Sequence, residues 1–329
     1  MSPLFHKRSE EEKQADEAAK QARAQAAERS AEREAESLKR IEEGHIPLAA
    51  AERLRERALA REGGEASLFS SDLEVNEWSA LARLGVAPIT QVMGSSIFKV
   101  GWQPTYYNAR TEVRVLSDAY NECRRLALNR LLEEAQECRA DAVLGVRIDQ
   151  GAHDWAPGAM EFIAIGTAVR LPEALRHPQG GALLSDLSGQ EYVQLCQAGL
   201  RPVGIAAHTS VHYVPASGQT QMAQSSMGGM FGGVGSWANQ ELVDFSQGVY
   251  EAREKAMAFV DAQARQLGGT GLIGVQVGQH ARTHEVRRGM IDSKDLEITF
   301  HVMGTVIRED PAIASQPPQP PPLQILSLR

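Results

Sequence analysis

Cysteine is scarce: Cys123, Cys138 and Cys196 are the only three, an odd number without CxxC spacing. That excludes a disulfide framework and a paired-cysteine zinc site. Long apolar runs are also missing, since none approaches the roughly 18 residues of a membrane helix. The residues after Met1, MSPLFHKRSEEEK, are polar where a secretory leader would be apolar. A protein of the reducing cytoplasm without a membrane span is expected. Positive charge is in deficit, with 34 Lys and Arg against 42 Asp and Glu and a net charge of -8. This argues against nucleic acid as a partner, because phosphate contacts require a basic surplus. The Gly-rich MGGMFGGVGSW sits between a strand and a helix but has neither GK[ST] nor GxGxxG spacing. No nucleophile, base and orienter stand in a recognisable arrangement, so no enzymatic activity is expected.

What is present is a repeat. ADAVLGVRID at 140–149 recurs as GTGLIGVQVG at 269–278, each after a helical stretch and at the start of a hairpin. Ser71 and Ser185, Glu77 and Glu191, Gly85 and Gly199, and Pro88 and Pro202 are all separated by 114 residues. Gly145 and Gly274 are separated by 129, and Gly166 and Gly304, in the closing Gly-Thr-x-Val/Ile-Arg, by 138. Constant offsets that grow in steps describe an internal duplication with loop insertions in the second copy.

Each copy reads as a short helix followed by β-α-β-β. The leading helix has N-cap oxygens at Ser70-Ser71-Asp72, and again at Ser185-Asp186, and closes at Gly85 or Gly199. Extended runs rich in β-branched residues follow, VAPITQVMGSSIFKV and LRPVGIAAHTSVHYV. The long helices each show one apolar side: Leu116, Tyr120, Cys123, Ala127, Leu131 and Ala135 in the first, and Phe245, Val249, Ala252, Ala256, Phe259 and Leu267 in the second. The last strand is apolar on both faces, with Ile163, Ile165 and Val169 alternating with Phe162, Ala164 and Ala168. One helix covers one face, so the other requires a partner sheet, from the second repeat or another chain. A homo-oligomer is expected.

The domain plan is a charged helical or disordered extension at 1–64, one domain at 65–173, a second at 182–310 with the Gly/Met-rich insertion, and a Pro-rich tail at 311–329. Residues 9–36 are almost entirely Ala, Glu, Lys, Arg, Gln and Asp without an apolar stripe, and Pro47 can start a second helix that ends at Gly63-Gly64. The tail PPQPPPLQILSLR reads as polyproline-type or disordered.

The stretches SSDLEVNEW, PITQVMGSSIF, LALNRLLEEAQECRADAVLGVRID and GTAVRL resemble the YbjQ family over 67–171, with a more divergent copy at 183–308 in which AHTS replaces MGSS. The resemblance implies an α+β fold of dodecin-like β-α-β-β subunits assembled into pentameric rings. The family's name ascribes heavy-metal binding to it, without a strict ligand motif to carry over, so candidate sites come from this chain.

Histidine forms the richest polar cluster, with His208 and His212 on one strand and His280 and His284 near a hairpin. Residues four apart on a strand share a face but sit about 13 Å apart. A divalent or soft transition metal would therefore need both pairs to converge, or a neighbouring chain; solvated or core histidines are the alternative. Met222, Met227, Met230 and Met290 are candidate thioether ligands or apolar filler, and Met227, Met230 and Phe231 could line a partner-binding loop. The cysteines read as buried small hydrophobes, and Arg147, Asp149 and Glu161 as a cross-strand charge cluster. Two functions fit: a ring-forming binding protein holding a metal or small ligand at domain or subunit junctions, or a scaffold recruiting partners through the N-terminal helix or the Pro-rich tail.

Overall fold

The computed structural model describes residues 10–64, 70–101, 104, 106–152, 158–177, 180–224, 239–288 and 291–313. The candidate residues Met227, Met230, Phe231 and Met290 lie outside the described residues, as does the tail from 314 onward. In chain order the elements are α1 (Glu10–Glu42), α2 (Leu48–Glu62), α3 (Val75–Arg83), β1 (Ala87–Lys99), β2 (Thr111–Glu112), α4 (Arg114–Glu137), β3 (Ala142–Ala152) and β4 (Ala159–Arg170). They continue as β5 (Leu183–Leu184), α5 (Gly189–Gln197), β6 (Leu200–Val214), α6 (Gly218–Gln224), α7 (Val243–Gln266), β7 (Gly271–Arg288) and β8 (Ile291–Glu309). The fold is α+β, with one four-stranded sheet in the order β1-β4-β3-β5, another in the order β2-β6-β8-β7, and an N-terminal helical region.

The charged extension is helical. From Glu17 onward nearly all of α1 is exposed, as a helix without an apolar stripe must be. It is anchored at its end, where Arg40 donates to the Ile46 carbonyl at 3.0 Å and to Glu133 of α4 at 2.9 Å. α2 starts after Pro47 and buries Ala51, Leu54 and Ala58; Ala51 and Leu54 join the core that α4 forms with the first sheet.

Both leading helices are capped later than the sequence suggests. Glu74 caps α3 in a capping box with Glu77, and Ser188 caps α5 with Glu191. The earlier Ser-Asp pairs bond to the closing strands instead. Thr167 Oγ1 lies 3.3 Å from Ser71 Oγ and donates to Asp72 at 2.5 Å; Thr305 meets Ser185 at 3.1 Å and donates to Asp186. The expected cluster of Arg147, Asp149 and Glu161 is also revised, because Arg147 pairs with Asp72 at 2.8 Å.

Strand registers slip at matching places: between Pro88 and Thr90 and between Pro202 and Gly204, then between Leu144 and Arg147 and between Ile273 and Gln276. Gly145 and Gly274 sit in the latter pair of bulges with φ of +64° and +65°, a backbone that glycine adopts without a Cβ penalty.

α4 lies across β1 and β4 with Cys123, Ala127, Leu131 and Ala135 fully buried. It bears on a second layer as well. Its Ser117 and Arg124 are buried against β6, so α4 covers the β6 side of the face that α7 does not, while β7 stays largely exposed. A helix of the first half, rather than a sheet, packs on that part of the surface. The matching face of the first sheet carries Met93 and Ile97, 48% and 54% exposed, with Ile163 and Ile165 partly exposed beside them.

The helix approaches β1 so closely that a Cβ at Gly94 would lie 2.0 Å from the Ala127 carbonyl oxygen and 2.4 Å from the Leu131 amide. Both neighbours are helix backbone and cannot swing aside. Gly94→Ala is therefore expected to cost about 3 kcal/mol, read as a lower urea midpoint; an unchanged midpoint would mean that α4 does not sit this tightly.

Candidate binding site at the junction between the sheets

Arg124, in the middle of α4, is 6% exposed. Its guanidinium donates from Nη1 to Thr209 Oγ1 at 2.7 Å and from Nη2 to the Ala207 carbonyl at 3.1 Å and to Asn121. These partners are all neutral, and burial lowers the pKa of Arg124 to about 10. Asn121 completes the clasp: Nδ2 donates to the Thr209 carbonyl and Oδ1 accepts from its amide, both at 2.9 Å. Ser117 Oγ accepts from the Val211 amide at 3.0 Å. Three α4 side chains thus satisfy backbone groups along the free edge of β6, whose outermost end pairs with β2 at Thr111–Tyr213 and Glu112–His212.

Behind Thr209 stands His301 of β8, with Nδ1 2.8 Å from Thr209 Oγ1 and its ring edge-on to Tyr120 at 5.5 Å. A cavity of about 570 Å³ opens beside the clasp, lined by Asn121, Arg124, Leu128, Ala207, His208 and Gln263 among others.

The histidine pairs expected to bind metal lie on opposite faces of one sheet. The pairings Thr209–His301–Gly278 and Val211–Thr299–His280 put His280 and His284 on the face toward α4. The pairings His208–Val302 and His212–Ile298 put the other two on the face toward α7. The four cannot meet around one ion within a chain, a consequence of strand parity. His284 Nε2 lies 3.2 Å from Glu297, and His280 is exposed. His208 stacks on Phe259 of α7 at 4.1 Å, and Nε2 of both His208 and His212 is buried without a hydrogen-bond partner. Met222 lies exposed on α6. Among the described residues no group of three or more His, Cys, Asp or Glu is placed to hold a metal ion. Cys123, Cys138 and Cys196 are free and buried, and burial raises the pKa of each thiol.

Neither Arg124 nor Asn121 carries a sequence signal, since polar residues on the flank of an amphipathic helix read as solvated. The same holds for Asp295, fully buried at the far end of the sheet. Burial would raise its pKa, but hydrogen bonds from Arg288 at 2.7 and 2.6 Å, from Tyr213 at 2.5 Å and from the Ala216 amide bring it below the ordinary value.

His208 and His301 each have a pKa lowered from 6.5 to about 4, first by burial and then by the Arg124 charge. Both are neutral in the folded protein at pH 5, where the unfolded chain binds protons on each. Stability is therefore complete above about pH 6.5 and falls as pH drops toward 4, by up to about 3 kcal/mol for each ring. His301→Asn is expected to flatten the dependence of the melting temperature on pH in that window by about half; an equally steep loss in the variant would show that His301 does not titrate this way.

Residues 82–172 match a family described as "Putative heavy-metal-binding", the YbjQ family. An encapsulin nanocompartment protein of Mycobacterium tuberculosis is 36% identical over 210 residues, covering 63% of this chain and 76% of that protein. A UPF0145 protein of Clostridium novyi and another of Methanococcus vannielii are each 42% identical over 60 residues, 18% of this chain and 56% and 55% of their own lengths. No helix among the described residues is long and apolar enough to cross a membrane. With its matched domain built from α4 and the sheet beneath it, the chain belongs to the YbjQ family.

Proposed function

We propose that the chain is a non-enzymatic component of an encapsulin nanocompartment, a ring-forming homo-oligomer of the cytoplasm. It is built from two dodecin-like domains at 65–173 and 182–310 and holds a small anionic ligand at their junction. The observation that carries this reading is the junction cavity, where the buried Arg124 has neutral partners and the His208 ring lies alongside, while Glu122 of the lining is paired with Arg125 and Asp118 is the remaining carboxylate. A buried cation surrounded by dipoles favours an anion beside it. The name of the Mycobacterium tuberculosis relative supports the compartment. A metal ion fits the donors less well: the two histidine pairs are separated by the sheet, so four-histidine ligation would need a second chain.

Calorimetric titration tests the ligand. Inorganic phosphate or a small carboxylate is expected to bind stoichiometrically, with at least a tenfold loss of affinity in Arg124→Gln and in His208→Phe. Zn²⁺ binding that disappears in the His280→Ala, His284→Ala double variant would overturn the anion reading in favour of metal. Absence of heat from all of these with oligomers intact would favour a scaffold instead. The long α1, exposed over most of its described length and anchored toward its C-terminal end, gives that second reading a specific basis as a partner-recruiting arm. Co-sedimentation with the host's encapsulin shell protein tests the compartment, and a chain that stays in the supernatant contradicts it.

A further inference from the structure

The contact between the two halves of the chain has a second, unfilled counterpart at its ends. Moving 129 residues along from α4 carries Ser117 to Ser246, Asn121 to Tyr250 and Arg124 to Arg253 on α7. Moving 114 residues back from β6 carries Ala207, Thr209 and Val211 to Met93, Ser95 and Ile97 on β1. The correspondence is geometric as well as sequential, because the Met93 amide donates to Glu134 at 2.8 Å where the Ala207 amide donates to Gln263 at 3.0 Å. Within the chain the first set of helix residues is seated on the second sheet. The second helix set, with Tyr250 64% exposed, and the first sheet's matching face, with Met93 and Ile97 half exposed, both face solvent.

Three further features repeat the pattern. β2 pairs with β6, whereas its counterpart at residues 240–241 is exposed ahead of α7, and the matching edge at Phe98 and Lys99 belongs to an outer strand. The leader of the second half adds to β3: β5 pairs in parallel, the Ser185 amide donates to Val143 at 2.9 Å, and the Val146 amide donates to Ser185 at 3.0 Å. The corresponding edge of β7, from Leu272 to Val275, is the outer edge of its sheet, and residues 70–73 are the matching leader. Finally, Tyr192 of α5 is 1% exposed against Ala142, Leu144 and Val169, while Trp78, its counterpart on α3, is 48% exposed. The second half therefore ends in an open helix face and strand edge, and the first half begins with the sheet face, leader and short helix that fit them.

We propose that a second copy of this chain fills these surfaces head to tail. The α7 face around Ser246, Tyr250 and Arg253 packs on the β1–β4 face around Met93, Ile97 and Ile163 of the next chain. Residues 70–73 of that chain extend the sheet at β7. The contact is heterologous, so it propagates from chain to chain, and a rotation that closes makes a ring. This rests on the homo-oligomer reading above and deepens it: because each chain contributes two places, a closed ring holds an even number of domains, and the five-domain ring expected from the family resemblance cannot be tiled by whole chains.

Complementation tests the interface. The wild-type chain is expected at a multiple of 35.8 kDa. A helix-blocked variant, Tyr250→Glu with Arg253→Glu, and a sheet-blocked variant, Ile97→Glu with Ile163→Glu, are each expected to run as monomers. Mixed, they should form one species of two chains and nothing larger, because one open surface of each kind survives. If either variant keeps the wild-type mass, or the mixture stays monomeric, the interface is wrong. Should a variant fail to fold by circular dichroism, oxidation of a chain carrying Ile97→Cys and Ser246→Cys replaces it: a ladder of interchain cross-links is expected, and its absence overturns the proposal. A wild-type chain that is monomeric at all concentrations would remove the homo-oligomer reading itself; an oligomer indifferent to these substitutions would remove only this interface.

Discussion

One helix serves two sheets, and the rest of the structure depends on that constraint. The apolar side of α4 closes the core of the first sheet, and its polar flank seals the free edge of β6 in the second. The two contacts differ in kind. Cys123, Ala127 and Leu131 contribute the area-proportional hydrophobic term, whereas Ser117, Asn121 and Arg124 satisfy backbone groups of β6 that would otherwise be buried or left as an open edge. A strand edge satisfied by side chains has a fixed register, because each donor and acceptor must meet its partner. The junction is therefore specific as well as stable.

This arrangement also explains the histidines. Where α4 crosses β1 at Gly94, the backbones almost touch; at the corresponding point of β6 stands His208, and α7 meets it with the flat ring of Phe259. A stacked pair thus stands in the second half where the first has a close backbone approach, and it sets a neutral imidazole at the wall of the junction cavity. The contact between the two halves of the chain and the candidate ligand site share residues: Ala207 lines the cavity and accepts from Arg124.

Much of this was legible in the sequence, in proportion to how far each feature is local. Gly145 and Gly274, which the sequence sets 129 residues apart, each sit in a register slip with positive φ. Leu131 and Ala135 lie on the helical stripe that the periodicity marked, and they are buried. The polar flank of α4 was not legible, because a 3.6-residue period separates apolar from polar but cannot tell a polar side chain facing water from one facing another sheet. The same limit hid Asp295 beneath Arg288. The caps were misplaced because Ser71 and Ser185 have long-range partners, Thr167 and Thr305, that propensity does not see. The histidine pairs could be placed on strands but not on faces, since the face depends on register with β8.

The central claim is that the first sheet presents to a neighbour the surface that the second presents to α4. Amide hydrogen exchange measured as a function of protein concentration tests it most directly. The Thr209 and Val211 amides, bonded to Asn121 and Ser117 within the chain, should be protected at every concentration. The Ser95 and Ile97 amides should gain comparable protection only as the oligomer forms. If Ser95 and Ile97 exchange at solvent rates in the fully assembled protein, the account is contradicted.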